Sequence, residues 1–111
     1  MKQPSSSFAK ALRIARHARG IAQEEFDTIS SRTYISALER GIKQPTIAKV
    51  DALAAVLGVH PLTLLALSYT DKHTSAEMKR LLDLVQAQFD ELCSTRSAPT
   101  SKPATVAARN R

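Results

Sequence analysis

Aromatic residues, glycine and proline are all scarce in this sequence. It has no Trp, two Tyr and three Phe, and only three Gly and five Pro among its 111 residues. A core with so few large rings must be built from Leu, Ile, Val and Ala, which suits packed helices. The shortage of helix-breaking residues also leaves room for long helices. Because no strand pattern appears, we predict an all-α fold.

Cysteine and long apolar runs are also nearly absent. The single cysteine, Cys93, excludes an internal disulfide and fits a reducing compartment. Residues 1–7 are polar and lack the apolar segment of a secretory signal. The longest apolar stretch, Pro61–Leu67, is too short to span a bilayer. We therefore expect a cytoplasmic protein that does not enter a membrane.

The groupings of residues that catalysis or metal binding requires are missing as well. His17, His60 and His73 are far apart, and their neighbours suggest no ligand cluster. The sequence has no paired carboxylates, no nucleophile set beside a base and no glycine-rich phosphate loop. We expect no enzymatic activity, no metal and no cofactor. For Cys93 we expect a small apolar role rather than redox sensing.

Positive charge, in contrast, is in excess. Sixteen Lys and Arg against ten Asp and Glu give a formal net charge of +6. Residues 1–70 carry nine basic and five acidic side chains, residues 71–93 carry three and five, and residues 94–111 carry four and none. A basic balance on a small domain favours a polyanionic partner, either nucleic acid or an acidic membrane surface.

Hydrophobic spacing and capping residues predict six helices. Their approximate ranges are 7–19, 22–29, 31–40, 45–58, 60–68 and 74–93. The first five form one domain over residues 6–69, and Thr74 with Glu77 has the spacing of a capping box at the start of the sixth. Residues 94–111 are small, polar and basic with two Pro, so we expect a disordered tail.

The stretch between Gln23 and Gly58 is the most informative one. It contains two short helices joined by a tight Ser-rich turn, and the second helix includes SRTYISALERG. Such a pair places the second helix at the surface, where its first turn can enter a major groove of DNA. Because Ile35 and Leu38 have the spacing of an inward stripe, the solvent face is predicted to carry Arg32, Thr33, Ser36 and Ala37.

These motifs resemble the Xre/Cro-cI family of helix-turn-helix regulators over about residues 6–68. The resemblance rests on YISALERG, a Pro-containing loop and LAAVLGV, and upstream on Leu12-Arg13, Arg16, Gly20 and Gln23-Glu24-Glu25. It implies a five-helix, lambda-repressor-like DNA-binding domain, followed here by an additional C-terminal helix. It also implies binding to double-stranded DNA at a pseudo-palindromic operator as a homodimer.

The resemblance assigns roles to individual residues. It implies base reading by Arg32, Thr33, Ser36 and Ala37. It implies phosphate binding by Gln23, Ser31, Tyr34, Arg40 and Lys43. It also implies an internal salt bridge between Arg16 and Glu39. Simple solvation or a backbone hydrogen bond remains the alternative for the exposed members, and a solvated face remains open for Arg13 and Arg19.

Two departures from the family pattern concern the second helix. Ala22 stands where a capping Ser or Thr is usual, which removes an interaction of about 1 kcal/mol. The link from Phe26 to Tyr34 is about two residues shorter than the common form and lacks its glycine. Both departures predict that the second helix is short.

Apolar residues on the last two helices predict association. Along the sixth helix they step by four, three, four and three residues, which forms a narrow apolar seam. The predicted dimerisation residues are Leu64, Leu67, Tyr69, Met78, Leu82, Val85, Phe89 and Leu92. The alternative is that the sixth helix folds back on its own domain and only the fifth contributes to a dimer.

Three classes of function stay open at this stage. The first is an autonomous transcriptional regulator. The second is an antitoxin-like protein that autoregulates its operon and binds a partner protein through the sixth helix and the tail. The third is an interaction module without DNA binding, against which Gln23, Arg32, Arg40 and Lys43 argue. The tail either adds non-specific DNA affinity or is an inert end.

Overall fold

The computed structural model of the protein describes residues 4–97, and the side chains of residues 8–94. It has five α-helices and one 3-10 helix and, within the described residues, no strand, in agreement with the predicted all-α fold. In chain order these are α1 (Pro4–Arg19), the 3-10 helix (Gln23–Phe26), α2 (Arg32–Glu39), α3 (Ile47–Leu57), α4 (Pro61–Tyr69) and α5 (Ser75–Ser97).

Helices α1 to α4 and the 3-10 helix enclose one apolar core. Its largest fully buried side chains are Phe26, Leu12, Ile35, Leu38, Leu53, Leu57 and Leu64. Burial of each such side chain contributes about 1.5–3 kcal/mol. The core is mainly aliphatic, as the composition predicts. Leu64 is fully buried in this core, so the prediction that it contributes to dimerisation is wrong. Leu67 is half-buried against the same core.

Side-chain caps fix where three of the helices begin. The Ser31 hydroxyl accepts a hydrogen bond from the Tyr34 amide at the start of α2, at 3.1 Å. Thr46 accepts one from the Lys49 amide at the start of α3, also at 3.1 Å. At α4 the acceptor is Nδ1 of His60, with the Leu62 amide as donor at 3.0 Å. These caps satisfy amides that have no partner inside a helix.

The second helix of the fold is shorter than the range 22–29 predicted for it. Ala22 has no side-chain acceptor, and the remaining capping contact is the Glu25 carboxylate, which accepts from the Ala22 amide at 3.3 Å. The Phe26 carbonyl then accepts from both the Ile29 and Ser30 amides, each at 2.9 Å. The chain therefore closes into a turn after four residues in the 3-10 conformation.

The linker before α5 is held by Glu77. The Glu77 amide donates to the Thr74 hydroxyl at 3.1 Å, which is one half of the predicted capping box. The Glu77 carboxylate reaches further back and accepts from three successive amides, those of Asp71, Lys72 and His73. These hydrogen bonds lower the pKa of Glu77. His73 has a left-handed backbone, with φ of 57°.

The chain divides into two compact units, one up to Met78 and one from Lys79 onward. Helix α5 continues to Ser97, past the end predicted at residue 93, and the rest of the predicted tail, 98–111, lies outside the described residues. Within residues 4–97 no single helix is long and apolar enough to cross a membrane. Only α3 and α4 taken together reach that length, and they meet at 106°.

Candidate nucleic-acid interface

The carboxylate of Glu39 joins three segments of the first unit. Its Oε2 accepts from Nε of Arg16 at 2.6 Å, and its Oε1 accepts from Nη2 of Arg16 at 2.9 Å. The same Oε1 accepts from Nε2 of Gln23 at 3.0 Å. The Arg16 and Glu39 side chains are 14% and 4% exposed, so the structure contains the predicted pair and buries it. This cluster links α1 and the 3-10 helix to α2.

The protonation state of this cluster follows from its contacts. Burial raises the pKa of Glu39, but the hydrogen bonds from Arg16 and Gln23 and the positive charge of Arg16 lower it by more, so the net shift is downward. The hydrogen bond to Glu39 raises the pKa of Arg16. Both groups are therefore charged at neutral pH, and the pair is bidentate.

Lys49 supports the turn that precedes α2. Its Nζ donates to the Ile29 carbonyl at 2.9 Å and lies 5.5 Å from the centre of the Tyr34 ring. A cation over an aromatic face adds a favourable contact to the hydrogen bond. Tyr34 is half-buried against the core. The start of α2 is thus held from beneath by a residue of α3.

The exposed face of α2 differs in one position from the predicted face. Arg32 and Thr33 are exposed and Ser36 is half-buried. Ala37 is only 6% exposed, so the prediction that it faces solvent and reads a base is wrong. The carbonyl of Ala37 accepts from the Ile42 amide at 2.9 Å, because the chain after α2 folds back over this side of the helix.

Arg32 has an ionic partner on the preceding helix. Its Nη1 lies 3.3 Å from Oε2 of Glu24, and the two side chains are 64% and 55% exposed. An exposed pair of this kind contributes about 0–1 kcal/mol, so it orients the guanidinium without fixing it.

The predicted phosphate-binding residues surround α2 at both ends. Ser31 is exposed at the N-terminus of the helix, and Arg40 and Lys43 are exposed beyond its C-terminus. Within residues 8–94, Arg40 and Lys43 make no ion pair. Beside them is a polar depression of about 460 Å³, lined by Ala9, Arg13, Gln23, Ser36, Glu39, Arg40 and Gly41.

Three cations have structural roles that the sequence analysis missed. Arg13, left open as a solvated residue, donates from Nη1 to the Glu39 carbonyl. Arg19 donates from Nε to the Leu57 carbonyl at 2.9 Å and from Nη2 to the Gly58 carbonyl at 3.3 Å. Lys49 holds Ile29 as described. Their acceptors are backbone carbonyls at least 20 residues away in sequence, which no local spacing reveals.

Titratable groups elsewhere do not form a second site. Among the described residues, no group of three or more His, Cys, Asp or Glu side chains is placed to hold a metal ion. The polar side chains that the fold brings together are those around Glu39 and along the exposed edge of α2.

Comparison with known proteins agrees with this geometry. The helix-turn-helix family matches residues 10–64, which span α1 to α4 up to the buried Leu64. The chain is 40% identical over 60 residues to the uncharacterized HTH-type transcriptional regulator y4dJ of Sinorhizobium fredii (strain NBRC 101917 / NGR234), covering 52% of this chain and 73% of that protein. The chain belongs to the Xre/Cro-cI-type helix-turn-helix family of transcriptional regulators.

Proposed function

We propose that this DNA-binding transcriptional regulator reads a pseudo-palindromic operator as a homodimer, through the N-terminal half of α2. The family supports DNA binding and regulation, and y4dJ, 40% identical to this chain, is an HTH-type transcriptional regulator by name. Regulators of this family are typically not enzymes. We place the protein in the cytoplasm, which is where the DNA lies in a bacterium such as Sinorhizobium fredii, the source of y4dJ.

One observation carries the proposal: α2 exposes Arg32 and Thr33 in its first turn and packs its inner face into the core. Arg32 and Thr33 have no packing role, whereas Ile35 and Leu38 are buried in the core. A helix held in this way presents its first turn to a major groove, where Arg can bond to O6 and N7 of guanine. We assign base contacts to Arg32, Thr33 and Ser36.

Phosphate contacts on both sides of α2 complete the proposed interface. Gln23 uses one N–H of its amide on Glu39, and the second N–H is available for a phosphate oxygen. Arg40 and Lys43 supply exposed positive charge beyond the C-terminus of α2, and Ser31 and Tyr34 lie at its start. Such contacts position the protein on DNA without selecting a sequence.

The homodimer part of the proposal rests on apolar side chains that are exposed in one copy. On α5, Leu82, Val85, Phe89 and Leu92 are 49–70% exposed. On α4, Tyr69 is 63% exposed, beside the half-buried Leu67. A pseudo-palindromic site requires two copies related by a two-fold axis. Burial of these surfaces between two copies supplies the driving force for that pairing.

Site selection from a random DNA duplex library tests the proposal. We expect enrichment of an inverted repeat whose half-sites are centred about 34 Å apart, one turn of DNA. Arg32→Ala should relax the preference at one base position in each half-site. Arg80→Ala, which changes an exposed cation on α5, should select the same repeat as the unaltered protein. Failure to enrich any sequence would contradict base reading.

A second candidate function is an antitoxin-like regulator that binds a partner protein through α5. The observation that favours it is the same exposed apolar face, because a partner helix can cover such a face as well as a second copy can. Light scattering on the purified chain separates the two functions. A dimer supports the homodimeric regulator, and a monomer at micromolar concentration favours the partner-binding one.

A further inference from the structure

We propose that two copies pair through α5 in antiparallel orientation, with Val85 of each copy opposite Phe89 of the other. The inference rests on the homodimer of the proposed function and adds its geometry. The partner that covers the apolar face of α5 is thus α5 of a second copy.

The paired face is narrow and apolar, and the charges lie away from it. Leu82 is 51% exposed, Val85 49%, Phe89 61% and Leu92 70%. At 100° per residue these four side chains fall within about 80° of the circumference of the helix. Lys79 and Gln86, at the edge of this face, pair with acidic residues that lie farther from it: Lys79 with Asp83 at 3.1 Å, and Gln86 with Asp90 at 3.1 Å.

Side-chain size decides the orientation. In a parallel pair each residue of the seam packs against the same residue of the other copy. Phe89 then packs against Phe89, which overfills that layer, and Val85 packs against Val85, which leaves that layer underfilled. In an antiparallel pair centred at Ala87, Phe89 meets Val85 and Leu82 meets Leu92. The four layers from Leu82 to Leu92 then have similar volumes, as packing at the density of a protein interior requires. Met78, which is half-buried in its own copy, lies outside these layers.

The residues that flank the seam are compatible with this orientation. In an antiparallel pair each flank meets the equivalent flank of the other helix, which places Gln86 beside Gln86, Gln88 beside Gln88 and Lys79 beside Cys93. No acidic residue of one copy then meets an acidic residue of the other, because Asp83, Asp90 and Glu91 all lie outside these flanks. Like-charge contacts would cost stability.

The length of α5 sets how far apart each orientation holds the first residues of the two helices. Ser75, where α5 begins, is twelve residues before Ala87. At about 1.5 Å per residue, an antiparallel pair separates the two copies of Ser75 by ~36 Å along the helices. A parallel pair places both copies of Ser75 at the same end.

The native Cys93 makes the orientation measurable by crosslinking. In an antiparallel pair two Cys93 residues are about 18 Å apart along the axis, whereas position 79 of one copy adjoins Cys93 of the other. The unaltered full-length protein should therefore give almost no covalent dimer with a short bismaleimide. Lys79→Cys, with Cys93 retained, should give mostly covalent dimer, joined 79 to 93 in peptide mapping. Asp83→Cys, on the charged side, is the matched control and should behave as the unaltered protein.

Light scattering on the same samples distinguishes failure of the inference from failure of the proposed function. A dimer that crosslinks through Cys93 in the unaltered protein overturns the antiparallel orientation and leaves the homodimer intact. A dimer that crosslinks in neither protein overturns pairing through α5. A monomer in both samples contradicts the proposed homodimer itself.

Discussion

The two units of the chain differ in which side chains find partners within the molecule. In the unit up to Met78, Arg13, Arg16, Arg19 and Lys49 are all turned onto acceptors of the same chain, and Glu39 is buried with its partners in place. In α5, polar residues pair locally while the large apolar residues are exposed. The difference shows that the polar side chains of the first unit are satisfied within one molecule, whereas α5 leaves an apolar surface exposed, which is the surface that the proposed homodimer would bury.

The largest expected effect tests whether the Glu39 cluster is the polar centre of the first unit. Glu39→Ala strands the Arg16 guanidinium, which is 14% exposed, and should lower the free energy of unfolding by about 3–5 kcal/mol. Thermal denaturation measures this loss. Arg40→Ala, an exposed cation one residue away, is the control and should change stability by less than about 0.5 kcal/mol. Equal melting temperatures for the two variants would show that the Glu39 cluster does not stabilise the first unit.

A second pair of variants compares apolar residues from the two units. Leu64→Ala removes a fully buried side chain from the first unit and should cost about 2–5 kcal/mol at any protein concentration. Leu92 is 70% exposed, so Leu92→Ala should act on the association of two copies. Its loss of stability should therefore depend on the protein concentration. Melting curves at two concentrations of each variant separate the effects. A loss for Leu92→Ala that is independent of concentration would contradict the comparison.

DNA binding should divide between α2 and the residues after it. Arg32→Ala should cost about 1–3 kcal/mol on the selected site and little on random DNA. Lys43→Ala should weaken binding to all sequences alike and reduce the slope of log K against log salt by about one unit. Fluorescence anisotropy at several salt concentrations measures both. If Lys43→Ala alters base preference and Arg32→Ala does not, the proposed docking of α2 is wrong.

Acid should weaken the first unit through Glu39. Its pKa is lowered in the folded state, so the unfolded chain binds this proton more tightly than the folded chain does. The stabilisation by Glu39 is therefore complete above the unfolded pKa of about 4.3 and is lost as the pH falls through the folded value. Urea unfolding between pH 3 and 6 should show this decrease. Glu39→Gln should have a flatter profile, and an unchanged profile would refute the assignment.

The smallest expected effect concerns the linker between α4 and α5, near the end of the first unit. Glu77→Gln replaces the carboxylate that accepts from the amides of residues 71–73, so these amides should exchange hydrogen faster. The melting temperature of the first unit should be unchanged. Glu91→Gln, at an acidic residue of α5 outside the linker, should leave the exchange of these amides as it is. Equal exchange in both variants would mean that Glu77 does not order the linker.

Much of the fold could be predicted from sequence because it depends on local spacing. The inward stripe of Ile35 and Leu38, the caps at Ser31 and Thr46 and the family motif all lie within a few helical turns. The errors have physical causes. Alanine is small enough to suit either face, so Ala37 gave no signal of burial, and Leu64 looked available only because the core it fills is formed by distant helices. Arg13 and Arg19 bind carbonyls whose positions depend on the completed fold.

In the proposed interface, the contact between Arg32 and Glu24 means that Arg32 must exchange one partner for another when it binds a base. A base that engages the guanidinium must replace a carboxylate that already lies 3.3 Å from it. A single acceptor on DNA offers the same kind of contact that is lost and brings no net advantage. Two acceptors in the plane of the guanidinium, as on guanine, offer two hydrogen bonds in place of one exposed ion pair. In the proposed interface, breaking the contact with Glu24 costs the same free energy for every acceptor, so Glu24 lowers the affinity of Arg32 for DNA without changing its preference among bases.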